Sequence, residues 1–107
     1  MSSYRYMRLF VIFDLPRYTS KQQKQANAFR KKLVDEGFLM LQESVYCKLA
    51  LNDSVMQAIK QRVREIKPSE GDVMMFGVTE KQFEDIEFLL NPSVSNVLDN
   101  TDRLVIL

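Results

Sequence analysis

An acid stands directly behind five apolar residues, Leu9 to Phe13, in "RLFVIFDLPR", residues 8–17. Arg8 and Arg17 flank the run, and Leu15-Pro16 follows Asp14. A carboxylate at the mouth of a buried strand can do one of two things. It can accept backbone N–H groups and close the turn before the proline. Or it can ligate a hard divalent cation such as Mg2+, which needs only one or two carboxylates, several waters and a substrate phosphate. An ion held there would polarise a phosphoryl oxygen and activate a water. One chain offers Asp14 alone at this strand mouth. A two-fold axis beside the strand would supply the second carboxylate from a second copy, while Arg17 could pair with Asp14 and compete with the ion.

The rest of the composition narrows the chemistry. The 107 residues contain no histidine and one cysteine, Cys47. That excludes His-based acid–base catalysis, Ser-His and Cys-His nucleophiles, an internal disulfide and a cysteine-built metal cage. A reducing, cytoplasmic setting is expected. The polar, basic opening MSSYRYMR and the short apolar run behind it lack the pattern of a secretory or membrane-spanning segment. Net charge is +1, yet residues 1–50 carry +5, nine bases against four acids, and the remainder −4. A basic half suits phosphate contact. Neutralisation of one half by the other across the fold is the alternative.

These residues need elements to hold them. The apolar run within 5–13 predicts a central strand, closed by Pro16. Thr19 and Ser20 are N-cap candidates, with Ser20 and Gln23 spaced as a capping box. The helix behind them places Ala26, Phe29 and Leu33 on one stripe, and Gly37 is its natural stop. Lys21, Lys24, Arg30, Lys31 and Lys32 ride on the same helix. Strands are expected at about 38–42 and 45–51, separated by Gln42-Glu43-Ser44. In the second, Val45, Cys47, Leu49 and Leu51 take one face and Tyr46, Lys48 and Ala50 the other, the polar side. That side would let Tyr46 pack at an interface or donate a hydrogen bond near nucleic acid. Ser44 is a turn residue that could also reach a water or a phosphate. Cys47 falls with the apolar face, as inert packing.

Asn52, Asp53 and Ser54 offer caps, with Ser54 and Gln57 spaced as a second capping box, and Met56, Ile59, Val63 and Ile66 form a second helical stripe ended by Lys67-Pro68. Gly71-Asp72 leads into a fourth strand, 73–78. The order β-α-β-β-α-β is that of a ferredoxin-like α+β fold on one antiparallel sheet. Thr79 and Gln82 cap a short turn from about 80. "FEDIEFLL" fits a helix or a strand, 91–102 a loop, and "RLVIL", 103–107, a terminal strand. A single domain, 1–107, is expected, with a core over 1–78 and an extension over 79–107. The terminal strand needs an edge to pair with, so a homodimer exchanging its tails is expected. The acids Glu80, Glu84, Asp85 and Glu87 cluster too tightly for DNA contact.

Four ordered blocks, "YRYMRLFVIFDLP", "GFLMLQESVYCKL", "VTEKQF" and "RLVIL", resemble the CRISPR-associated protein two family, closest to its type II branch. The resemblance implies a ferredoxin-like homodimer that bridges two dimers of the family-one integrase on a duplex DNA prespacer during spacer acquisition. It also implies metal-dependent cleavage of RNA or DNA, assigned to an aspartate at the end of the first strand, here Asp14, with Mg2+ as cofactor. Arg17, Lys21, Lys24, Arg30, Lys31 and Lys32 are then expected to contact phosphates, with Ser44 and Tyr46 nearby as supporting residues, while the acidic extension could dock a basic patch of the integrase or simply be solvated. The alternative is a stand-alone, toxin-like endoribonuclease on the same fold. A ligand-sensing regulator lacks support, because three glycines build no Gly-rich phosphate cradle.

Overall fold

The computed structural model describes residues 6–90. Seven elements follow in order: β1 (Met7–Asp14), α1 (Ser20–Asp35), β2 (Leu39–Gln42), β3 (Val45–Ala50), α2 (Asp53–Ile66), β4 (Asp72–Thr79) and a short α3 (Glu80–Glu84). The strands form one sheet in the order β2-β3-β1-β4, antiparallel throughout. This is the expected α+β, ferredoxin-like arrangement. The expected loop over 91–102 and strand over 103–107 lie outside the described residues.

Strand alternation assigns the two faces of the sheet. Leu9, Val11 and Phe13 of β1 and Tyr46 and Ala50 of β3 point at the helices. There they meet Phe29 and Leu33 of α1, Phe38, and Met56, Ile59 and Val63 of α2 in one buried cluster. Phe10, Leu41 and Cys47 point the other way, where Phe83 and Ile86 cover part of the sheet. The face assignment of β3 is therefore the reverse of the expected one. Tyr46 is 2% exposed and stacks on Phe13 within the helix-covered core. Lys48 shares that side, and its Nζ donates to the Glu36 carbonyl at the end of α1. The cation answers the partial negative charge of a helix C-terminus, which is how a lysine can share a core-facing register. No surface remains at Tyr46 for contact with nucleic acid.

The first two helices each start at the first of the caps the sequence offers. Thr19, not Ser20, caps α1: its Oγ1 accepts from Gln22 N at 3.0 Å, and Gln22 Oε1 accepts from Thr19 N at 3.0 Å. Of Asn52, Asp53 and Ser54, Asn52 caps α2, accepting from Val55 N at 2.9 Å, and Ser54 and Gln57 form no capping box. In both cases an oxygen-bearing side chain closer to the preceding strand reaches the orphan N–H groups first. Thr79 and Gln82 form the expected capping box of α3. The helix stops at Glu84, so "FEDIEFLL" is neither a full helix nor a strand. Gly37, at φ 97°, ends α1 with Gly37 N on Val34 O and Phe38 N on Leu33 O. That pair of bonds is a Schellman ending, and it delivers Phe38 to the core beside Leu33.

Gly71 sets the entry to β4. Its φ is +102°, and a Cβ there would stand 2.7 Å from Leu15 Cδ2, 3.0 Å from Pro16 Cδ and 3.1 Å from the Asp14 carbonyl oxygen. Backbone conformation and close approach both demand glycine. Gly71→Ala is expected to cost about 1–3 kcal/mol. A lowered urea midpoint with an unchanged slope is the result to look for.

Candidate functional site

Asp14 is the last residue of β1 and is exposed. It alternates with Phe13, so its side chain leaves the sheet on the face away from α1 and α2. Its register partner on β4 is Asp72, also exposed. The two carboxylates thus stand opposite each other on neighbouring strands of a single chain. Both line an open depression of about 500 Å3 together with Leu15, Pro16, Arg17, Tyr18 and Gly71. They also line a second, of about 340 Å3, whose floor is Ile12, Phe13, Val73 and Met74. Gly71, by admitting Leu15 and Pro16 so closely, holds the two strand ends together.

Neither alternative role for Asp14 finds a partner. Among the described residues no hydrogen bond reaches its side chain and no ion pair joins it to Arg17. Like charges opposed across strands repel, a cost that a bound cation would offset. Two exposed oxygen ligands beside open space for a phosphate are the donor set that Mg2+ accepts. Among the described residues no group of three or more potential metal ligands gathers at one point. Asp72 is the residue the sequence reading missed: taken singly, it looks like half of a Gly-Asp turn.

The basic residues separate. Lys21, Lys24, Lys31 and Lys32 lie on the exposed side of α1, with Lys31 Nζ 3.3 Å from Asp35. Arg17 joins Asp14 and Asp72 at the depression. Arg30, however, is turned toward the sheet. Its Nε donates to the Glu43 carbonyl at 3.1 Å, its guanidinium lies 5.6 Å from the Phe13 ring centroid, and Nη1 is buried without a partner among the described residues. Arg30 clamps the β2–β3 turn. Ser44 is in that turn, and its carbonyl accepts from Phe13 N at 3.1 Å, one residue before Asp14. Ser44 therefore braces the strand end through its backbone, and it does not line the depression.

The remaining ionisable groups are structural. Burial pushes the Cys47 thiol up to about 11, which keeps it protonated and non-nucleophilic. Burial likewise raises Tyr46, the larger influence over the opposing nearby Arg30. Arg8 lies 4.1 Å from the Phe83 ring centroid and 2.7 Å from Glu80, which ties α3 to the sheet. Glu80 is thus paired within the chain. Among the described residues no helix is long and apolar enough to cross a membrane.

The family described as CRISPR associated protein Cas2 matches residues 7–86, which hold both strands of the carboxylate pair. The chain is 41% identical, over 94% of its own length and all of the relative's, to a protein of Ligilactobacillus salivarius named CRISPR-associated endoribonuclease Cas2. A protein of that name from Treponema denticola is 41% identical over the same shares of the two chains. One from Streptococcus mutans serotype c is 40% identical, with 93% of its length covered. A family model over most of the chain and relatives of this similarity and coverage agree: the chain belongs to the CRISPR-associated Cas2 family.

Proposed function

We propose that the protein is a homodimeric nucleic-acid-binding subunit of CRISPR spacer acquisition, and that Asp14 equips it for Mg2+-dependent phosphodiester cleavage. The observation that carries the cleavage reading is the exposed Asp14–Asp72 pair at the open end of β1 and β4, with Arg17 in the same depression. The names of the relatives point to RNA as a substrate. Asp14 and Asp72 would hold the ion, which when bound supplies charge to polarise a phosphoryl oxygen and acidify a water. The Arg17 guanidinium is suited to hold the substrate phosphate. The chain has no histidine, so no imidazole is available to take a proton from such a water. Comparison of Mg2+-dependent cleavage of RNA and duplex DNA by wild type and Asp14→Asn tests this reading. Equal cutting by both, or none by either, removes it.

The adaptor reading, a bridge between integrase dimers on a duplex prespacer, rests on a different surface. Lys21, Lys24 and Lys32 line the exposed side of α1, along a helix about 24 Å long. Such a row follows a phosphate backbone without reading bases. The sheet face away from α1 and α2 leaves Met74 63% and Phe76 43% exposed, apolar surface suited to a second copy. Replacing Lys21, Lys24 and Lys32 together by Ala is expected to weaken duplex binding at every sequence. Each lost phosphate contact should lower the slope of log K against log salt by about 0.9. Binding isotherms at several salt concentrations check both effects. Co-purification with the integrase separates the adaptor from a stand-alone endoribonuclease.

A further inference from the structure

Tyr18 is 93% exposed, the most exposed of the large apolar and aromatic side chains among the described residues. Its backbone is nonetheless fixed. Tyr18 N donates to Gln22 Oε1 at 2.8 Å, the same oxygen that accepts from Thr19 N in the cap of α1. Pro16, two residues earlier, restricts the chain on the other side. Nothing in the core uses the ring, and none of the aromatic contacts among the described residues involves it. It lines the depression that holds Asp14, Asp72 and Arg17. An aromatic ring on an anchored backbone, a guanidinium and two carboxylates therefore share one small, open surface.

We propose that Tyr18 is a nucleobase subsite: its ring stacks an unpaired base of a single-stranded nucleic acid whose phosphate lies at the Arg17 guanidinium, in the depression it shares with Asp14. Aromatic platforms accept any base, because every base offers a π face. Bases inside a duplex are already stacked on both sides, and extracting one costs energy. The subsite thus favours single strands over duplex at the same depression. It deepens the cleavage reading, on which it rests for the position of the phosphate, by assigning the residue that selects substrate form.

The chain contains no tryptophan, so Tyr18→Trp installs a sole indole reporter at the position. Single-stranded RNA, single-stranded DNA, a duplex and an abasic single strand are titrated in Mg2+-free buffer, where no cleavage intervenes. Quenching of the indole emission by either intact single strand, and not by the duplex or the abasic strand, is expected. Tyr18→Ala is expected to weaken single-strand binding roughly ten- to hundredfold, with duplex binding unchanged and Tyr18→Phe close to wild type. Being exposed, these substitutions should leave the thermal midpoint in place. Absence of quenching, equal quenching by the abasic strand, or equal losses on single strand and duplex overturns the subsite. Repeating the titration in an Asp14→Asn background keeps the two readings distinguishable. Quenching that persists there supports stacking even where Asp14→Asn cleaves like wild type, a result that would remove only the cleavage reading.

Discussion

Asp14→Asn abolishes Mg2+-dependent cleavage, by on the order of 10²-fold or more, and leaves the protein at least as stable as wild type. The first half of this expected result follows from ligand chemistry. Asparagine keeps the shape but loses the charge, and a hard cation bound by two carboxylates loses half of its protein-supplied anionic ligands. The second half follows from the register. Asp14 and Asp72 face each other across β1 and β4, so in Mg2+-free buffer removing one charge relieves a repulsion worth a few tenths of a kcal/mol. A turn-closing aspartate behaves in the opposite sense: its loss orphans N–H groups and lowers the melting point. Activity and thermal midpoint, measured on the same preparation with equal oligomer content, therefore give two independent signals. Loss of cleavage with an unchanged or raised midpoint fits a metal ligand. A lowered midpoint with proportionate loss of activity would return Asp14 to a structural role. Asp72→Asn should show the same pair of signs with a smaller loss of activity.

That register explains what could and could not be learned from the chain before folding. The helical stripes Ala26-Phe29-Leu33 and Met56-Ile59-Val63 were legible because the period of a helix is local and each stripe repeats it. So was the break at Gly37, where a single residue type satisfies a left-handed backbone. The faces of β3 were not. Alternation separates Tyr46 and Lys48 from Cys47 and Leu49 but does not say which set meets the helices. Counting Lys48 as a surface residue misassigned the pair, since it is the C-terminus of α1 that gives the lysine a partner in that layer. Arg30 failed for a related reason. Grouped with four lysines by sequence, it turns to the opposite flank of α1, where the β2–β3 turn captures it. Asp72 lay beyond any local pattern, 58 positions from Asp14 in a chain whose pairing is non-local. One signal did point to it. In an antiparallel β1–β4 neighbourhood the end of the first strand must face the beginning of the fourth, and the fourth begins at Gly71-Asp72.

The core that sets this register is concentrated enough for one side chain to matter. Phe29 is 1% exposed on α1, and its ring meets that of Phe13 edge-on with centroids 5.1 Å apart. Phe13 in turn stacks on Tyr46 at 5.7 Å. Phe29→Ala removes the ring that links α1 to the centre of the sheet and leaves a cavity between elements that cannot fully collapse. The expected loss is about 3–5 kcal/mol, a large part of the roughly 5–15 kcal/mol that holds a small domain folded. Phe29→Leu refills most of the space and should cost less than half as much. Urea denaturation resolves the series through its midpoints. Activity then separates packing from chemistry. Phe29 and Asp14 lie on opposite faces of the sheet, so folded Phe29→Ala protein keeps its carboxylate pair. Cleavage well below the melting temperature should stay near wild type and fall in step with the unfolded fraction as temperature rises. A variant that is fully folded and inactive would mean that the helix layer, through Phe13, sets the geometry of Asp14 itself.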